Sequence, residues 1–532
     1  MFLKRSIGKR VLNGLLVSLV FGLSGILPIA GAERLDVEFE EMAIPISIKD
    51  LAAWSRSAPQ RSSELETWLN LLDSESKQGL RNLLKAPLLK RQSMGRQMLR
   101  SWAGRQLLDE VSDLIRLDED TSGNKVFHTL ESLFESQPQV STLDLLEALP
   151  AESIRLDLDA LLNLANRWRV QLQRQQNLVF SVQKIKTSKL SIRSPKLSLE
   201  KVDLVPEQQF LEVEHRNQPL PLEVWRPQIG MPLKNSWVVF MPGLGGSKGH
   251  FQWLARKLAI QGWPVVVFEH PGSDGKAVKG LLEGRRLPPG AEVIPERLED
   301  LRSVLAAKEE GRLKISAKRL VLMGHSLGAL TAFLASGAVP EPGLEKRCEK
   351  ALDDLSLTNL SQLLQCQMID VPVQPQKPIK ELQAIVALNS FGSLLWPNEG
   401  GALVPVPVFL AGGTLDLITP PITEQLGLLL STTSNHASSR SLLIIGASHF
   451  SPVRVEGQLD GEKGRDLFQL GEELVGVQPL RVQQILASTI SDFLEDVESK
   501  QAFLSSLRTE DGDLRILLLD RSSVNRLLEA QY

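Results

Sequence analysis

The chain has 532 residues, enough for more than one domain with its own core. A formal net charge of −3 and a pI near 6.3 argue against a nucleic-acid binder. Two cysteines far from C-x-x-C spacing, and no H-E-x-x-H, leave neither a zinc site nor a redox motif, so no metal or cofactor is expected.

In chain order, Met1–Arg10 carries Lys4, Arg5, Lys9 and Arg10, and a mostly apolar stretch, Val11 to Leu27, follows. Ala30-Gly31-Ala32 then completes the pattern of a secretory signal cleaved after Ala32. The apolar stretch is also long enough to leave an uncleaved anchor open. Alternation over Leu35–Phe39 predicts a short strand, and Ser47-Ile48-Lys49-Asp50 a capping box before a helix. Helical spacing recurs at Leu65, Trp68, Leu69 and Leu72, and again at Leu107, Leu108, Val111, Leu114 and Ile115. Ser141–Asp144 caps another helix, which Pro150 stops. A long amphipathic helix follows, with Leu158, Leu161, Leu162, Ala165, Trp168 and Leu172 on one face. Beyond Gln176 the pattern turns strand-like, so a linker is expected near Asn177–Leu199.

Residues 76–108 contain no Asp or Glu, while Lys77, Arg81, Lys85, Lys90, Arg91, Arg96, Arg100 and Arg105 accumulate. Interleaved leucines and Trp102 would let this stretch lie on an anionic membrane surface. A solvated face balanced by Asp109, Glu110 and Asp113 is the simpler alternative.

The second half carries the chemistry. Trp237–Met241 is an apolar strand running into Pro242-Gly243-Leu244-Gly245-Gly246, a turn whose backbone N–H groups can face a cavity. It lacks the spacing of either phosphate-binding glycine motif, which argues against a nucleotide. Leu320–Met323 leads into Gly324-His325-Ser326-Leu327-Gly328, and Ala329–Leu334 reads as a helix. A serine in G-x-S-x-G between strand and helix is a nucleophile elbow, with Gly324 and Gly328 small so that the two elements can approach. Leu244 N–H and Leu327 N–H are the natural oxyanion donors. Val406–Gly413 is a further strand, with Asp416 just past its end, and Ser441–Ile445 leads to Gly446-Ala447-Ser448-His449. Asp416 could instead be a turn or capping aspartate before Pro420, and His449 an ordinary loop histidine. None of the other six histidines follows a strand after an acid in the required order.

Between the elbow helix and the strand Leu382–Leu388 lies an insertion with both cysteines. In an oxidising compartment Cys348 and Cys366 would pair. Leu352, Leu355, Leu363 and Leu364 fall at helical spacing and suggest a cap, about residues 340–380, over an acyl pocket; a packed excursion without ligand contact is the alternative. The tail beyond Glu498 holds an apolar run, Ile516–Leu519, of no evident role.

Met241–Gly246, Glu269-His270-Pro271-Gly272-Ser273-Asp274, Pro295–Leu301, Gly324–Gly328 and Gly446–Ser451 together make residues from about 200 to 500 resemble the α/β-hydrolase superfamily. Within it they are similar to the esterases grouped with platelet-activating-factor acetylhydrolase. Residues 33 to about 155 resemble the helical domain of unknown function that precedes such hydrolases in exported bacterial proteins. The resemblance implies an α/β-hydrolase fold, a mostly parallel sheet flanked by helices, behind a mainly α-helical domain. The expected division is a signal peptide (1–32), the helical domain (33–155), an amphipathic helix and linker (156–199), the catalytic domain (200–498) and a tail (499–532). It further implies an exported serine hydrolase of carboxylic esters, with Ser326, Asp416 and His449 as triad and a small-molecule or lipid ester as partner. The alternatives are a thioesterase or acyltransferase with the same triad, or a non-catalytic binding or membrane-tethered protein on the same fold.

Overall fold

A computed structural model describes residues 31–57, 64–89, 92–117, 123–137, 139–184, 188–189, 204–353, 358–371, 373–398, 404–432, 436–455, 476, 478–500, 507–511 and 514–529. The expected signal segment thus lies almost wholly outside the described residues. The chain divides into two compact units. One comprises residues up to Gln92 together with Val111–Leu161; the other comprises Ser93–Glu110 and everything from Leu162 onward.

The first unit sets the expected short strand in a small sheet beside its helices. Strands β1 (Arg34–Phe39) and β2 (Met42–Ser47) pair antiparallel, β3 (Ile115–Leu117) and β4 (Ser153–Asp157) complete a four-stranded sheet, and β1 runs parallel to β4. The unit also holds helices α1 (Ile48–Ser55), α2 (Glu64–Leu69), α3 (Ser74–Lys85), α4 (Asn124–Ser136) and α5 (Thr142–Ala148), and a short antiparallel pair of Pro87–Leu89 with Val140–Ser141. The capping box at α5 is formed: Asp144 N–H donates to Ser141 Oγ at 3.2 Å, and Ser141 N–H to Asp144 Oδ2 at 2.8 Å. Ile48, Leu51, Phe134, Leu143 and Ile154 are buried in this unit.

The basic stretch 76–108 is divided between the units, since Lys77, Arg81 and Lys85 lie on α3 while Arg96, Arg100 and Arg105 belong to the second. Arg81 stacks on Trp54 with its guanidinium 4.6 Å from the ring, a use that a sequence stripe does not reveal. Lys90 and Arg91 lie outside the described residues.

Helix α6 (Leu158–Lys184) does not stop at Gln176. Leu178 and Val182, one turn apart, are buried in the core of the second unit, and that burial overrides the β-branched character of the segment.

The second unit is built on an eleven-stranded sheet. Its strands are β5 (Glu207–Leu211), β6 (Leu220–Trp225), β7 (Ser236–Met241), β8 (Val265–Phe268), β9 (Arg319–His325), β10 (Leu382–Leu388), β11 (Val408–Gly413), β12 (Arg440–Ile444), β13 (Leu507–Asp511) and β14 (Leu514–Leu519). With the short strand Ser188–Lys189 at one edge, the order is β13-β14-β12-β11-β10-β9-β7-β8-β6-β5. The six strands from β12 to β8 are parallel. Alternate residues of β9 go to opposite faces. Leu320 and Leu322 join one core with the elbow helix, while Val321 and Met323 join the other with helices α7 (Gln252–Ile260) and α13 (Pro479–Ser499). Burial on both faces is why these strands read as unbroken apolar runs. Further helices of this unit include α8 (Gly275–Leu282), α9 (Ile294–Glu309), α10 (Leu327–Ala335), α11 (Leu344–Asp353), α12 (Ser361–Gln367) and α14 (Arg521–Glu529).

The tail expected after Glu498 is part of this unit. β14 pairs with β12, and Ile516, Leu517, Leu518 and Leu519 are buried on its two faces. The insertion holds two short helices, α11 and α12, rather than one, joined by the Cys348–Cys366 disulfide. Sheet, crossovers and flanking helices are those of the α/β-hydrolase fold.

Candidate active site

From β7 the chain crosses to β8 on one side, then returns to β9 on the other. The loops leaving β7 and β9 therefore part, and the crevice beyond such a switch point is where open α/β sheets hold ligands. Gly243 and Ser326 both sit there. A Cβ on Gly243 would lie 2.9 Å from Ser326 Cβ, so only glycine lets the first loop come this close.

The elbow is strained as its sequence requires. Ser326 has φ 52° and ψ −120°, a conformation rare for any residue with a side chain, and it is half-buried. A Cβ on Gly324 would fall 2.3 Å from the carbonyl carbon of Gly328, and one on Gly328 would fall 1.9 Å from Met241 O. Strand, helix and the end of β7 thus meet backbone to backbone. In the glycine loop Gly245 N–H donates to Ser273 O at 2.7 Å and Gly246 N–H to Gly243 O at 3.1 Å. Leu244 is left half-buried between them, and Leu327 opens α10, where an N–H has no intrahelical acceptor.

Asp416 and His449 come together across the ends of β11 and β12. His449 Nδ1 lies 3.0 Å from Asp416 Oδ2, and both residues are buried. Two further residues, not singled out from sequence, fix the carboxylate: Asn389 Nδ2 donates to Oδ2 at 2.8 Å and Thr419 Oγ1 at 2.6 Å. The N–H groups of Ile418 and Thr419 donate to Oδ1 at 2.9 and 2.8 Å. Burial pushes the Asp416 carboxyl up, but His449 and the Thr419 bonds outweigh it and hold the group below the usual carboxylate range. Asn389 has φ 47° at the end of β10, and Thr419 stands three residues after the acid as a turn threonine does. Of the two, only the spacing of Thr419 is visible in the sequence. Asp370, another carboxylate after the elbow, is exposed.

His325 is buried in the elbow. Its Nε2 lies 2.9 Å from His449 O and its ring centroid 4.9 Å from that of His449. Burial, reinforced by His449, lowers its pKa to about 3, so it is neutral and orients the His449 backbone. His250 and His270 are also kept neutral by burial, at about 4 and about 3. His270 instead belongs to a polar cluster under the site, described below.

The insertion is fastened to the acid turn. Leu360 N–H donates to Leu417 O at 3.2 Å and Ser361 N–H to Ile418 O at 2.9 Å. Leu360, Leu415 and Leu417 are 38%, 51% and 43% exposed, an apolar ledge flanking Asp416. Beside it, Thr358, Asn359, Trp396, Pro420 and Thr423 border a cavity of about 400 Å³. Among the described residues no three or more His, Cys, Asp or Glu side chains are grouped to hold a metal, and no helix is long and apolar enough to cross a membrane.

Residues 238–454 match the family described as "Alpha/beta hydrolase family", and residues 31–157 match "Alpha/beta hydrolase of unknown function (DUF1400)". No curated protein matches the sequence. Among solved structures, the chain is similar to a serine hydrolase without a lid from Xanthomonas campestris, at 15% identity and TM-score 0.29, covering 54% of this chain and 94% of that one. A serine hydrolase homologue from Coxiella burnetii matches at 14% identity and TM-score 0.29, over 53% of this chain and 97% of that one. A CIB-like hydrolase from Thermoplasma acidophilum matches at 12% identity and TM-score 0.29, over 54% and 99%. The family matches and the sheet topology agree on the α/β-hydrolase fold.

Proposed function

We propose that the protein is an exported serine hydrolase that cleaves carboxylic esters through an acyl-enzyme. The observation that carries this reading is the strained Ser326 on its elbow, with an Asp416–His449 pair held at the neighbouring strand ends. Ser326 Oγ attacks the ester carbonyl carbon while His449 Nε2, the ring nitrogen not facing Asp416, takes the hydroxyl proton. The carbonyl π electrons move onto oxygen, and Leu244 N–H and Leu327 N–H hold that oxyanion. Collapse breaks the bond to the alcohol oxygen, which leaves with the proton from His449. Water, deprotonated by the same imidazole, then attacks the acyl-serine and releases the carboxylic acid.

The exposed leucine ledge beside Asp416 favours an apolar, lipid-like or short-acyl ester, in keeping with the resemblance to the platelet-activating-factor acetylhydrolase-like esterases. Export is supported by the charged and apolar N-terminal sequence and by a disulfide that persists in oxidising compartments.

Fluorophosphonate labelling tests the reading. The parent protein should be labelled at Ser326 and should hydrolyse nitrophenyl acetate. Ser326→Ala should lose the label and turnover, by several orders of magnitude, with its fold intact. Parental hydrolysis by purified Ser326→Ala would show that the chemistry lies elsewhere.

A further inference from the structure

Among the described residues, Arg297 is the one arginine in the set of largest fully buried side chains, at 1% exposure in the first turns of α9. Taking a guanidinium out of water is expensive, and an apolar side chain of similar volume would fill the space at less cost. Its bonds show what the charged group accomplishes there. Nη2 donates to Pro242 O, Nη1 to Ser273 Oγ at 2.8 Å, and Nε to Thr331 Oγ1 at 3.3 Å.

The three acceptors belong to three separate walls of the site. Pro242 O immediately precedes the glycine loop. Ser273 lies in the turn after β8, and its carbonyl accepts Gly245 N–H from that loop. Thr331 is on α10, and its hydroxyl also donates to the carbonyl of Leu327, the residue after the nucleophile. One planar fork of donors therefore ties the loop that carries Leu244 to the helix that carries Leu327, and a flexible ammonium could not reach all three.

The turn that carries Ser273 is itself braced from below. Asp300, one turn along α9 and fully buried, accepts from Arg216 Nε at 2.5 Å and Nη2 at 2.8 Å, and lies 2.7 Å from both His270 Nδ1 and His215 Nε2. Burial keeps His270 neutral, so its contact with Asp300 is a hydrogen bond that leaves the aspartate charge to Arg216. His270 Nε2 is buried with no hydrogen-bond partner among the described residues, and the turn carrying Ser273 begins at this histidine.

We infer that Arg297 is a positioning residue for the oxyanion site, holding the Pro242–Gly246 loop against α10 so that the Leu244 and Leu327 N–H groups converge on one point. This rests on the reading of Ser326 as the acylated nucleophile. A residue of this kind acts on the transition state and hardly on the ground state, because the oxyanion exists only in the former.

The test is Arg297→Lys, which keeps a long basic side chain and loses the three-way tie. On nitrophenyl acetate kcat should fall by about 10- to 100-fold, approaching the loss of one oxyanion donor, with KM changed by no more than about twofold. Affinity for a trifluoromethyl ketone, which forms a tetrahedral adduct with the serine, should weaken by the same factor as kcat/KM, whereas a purely structural defect would not link the two. Thr331→Val and Ser273→Ala, each removing one acceptor, should show smaller losses of the same kind. A folded Arg297→Lys with parental kcat and ketone affinity would overturn the inference. Were that variant not to fold, parental kcat in both Thr331→Val and Ser273→Ala would overturn it equally. Labelling separates the two levels. Fluorophosphonate labelling that survives in Ser326→Ala sinks the nucleophile assignment, whereas serine-dependent turnover that is unaffected at Arg297 sinks only the positioning role.

Discussion

Asp416 is held by more groups than an orienting carboxylate needs. Its two oxygens face two backbone N–H groups, a carboxamide, a hydroxyl and the His449 ring, so its orientation is fixed from every side. Asp416→Asn should therefore preserve the fold but lower the ester hydrolysis rate by about 10⁴-fold, because the imidazole loses its preferred tautomer. A steady-state rate near that of the parent would exclude Asp416 as the acid. Asp300 gives a second residue-scale expectation. Burial raises its carboxyl, but the bonds from His270 and Arg216 pull it far below the ordinary range. A carboxyl lowered on folding contributes stability above its unfolded pKa, about 4, and loses it as pH falls toward the folded value. Asp300→Asn should accordingly lower Tm at pH 7, and the gap from the parent should narrow as the pH is taken below about 4. A gap that stayed constant in thermal melts across that range would contradict the linkage.

At the scale of elements, the elbow and the insertion behave differently. The elbow has no slack: Gly328→Ala would drive a methyl into Met241 O, which neither the helix nor β7 can relieve without moving Ser326. That variant should lose both activity and about 1–3 kcal/mol of stability, read by labelling and denaturant melts. The insertion is stapled outside the reacting atoms. Its disulfide closes a loop with a sequence separation of 18, for which restriction of the unfolded chain contributes about 3 kcal/mol. Cys348→Ser/Cys366→Ser should retain turnover of a small acetate ester. It should lose preference among longer acyl esters, since α12, whose N-terminal end carries the Leu360 side of the ledge, would no longer be tied to α11. An unchanged chain-length profile in a folded double variant would make the disulfide purely structural.

Over the whole molecule, the second unit closes its sheet with the last stretch of sequence. Leu514, Ile516, Leu517, Leu518, Leu519 and Val524 are each 3% exposed or less. Each fully buried aliphatic side chain of this kind is worth about 1.5–3 kcal/mol, so their joint loss is as large as the whole stability of an ordinary domain. A chain ending at Lys500 should therefore be insoluble or lack a cooperative melt, since β12 would also be left as an uncovered apolar edge. Soluble expression of that truncation at the parental Tm would show the tail to be dispensable.

The local chemistry of this protein is written along the chain. Gly324, Gly328 and Ser326 are readable because an elbow constrains residues two apart, and the Ser141 capping box because helix ends constrain residues three apart. Unbroken apolar runs likewise announced strands buried on both faces. The sequence order of Ser326, Asp416 and His449 was enough to nominate them, since each follows its own strand. Tertiary structure alone decided the rest. Asn389 meets Asp416 across 27 residues and Arg216 meets Asp300 across 84, and no periodicity marks a partner at such distances. Helix α6 continues to Lys184 because Leu178 and Val182 find a core, although their local preference points to strand. The apolar run Ile516–Leu519 becomes a strand of the main sheet because β12 offers it an unpaired edge. Propensity is a few tenths of a kcal/mol per residue, whereas burial of one leucine is several times that, so where the two disagree the packing decides.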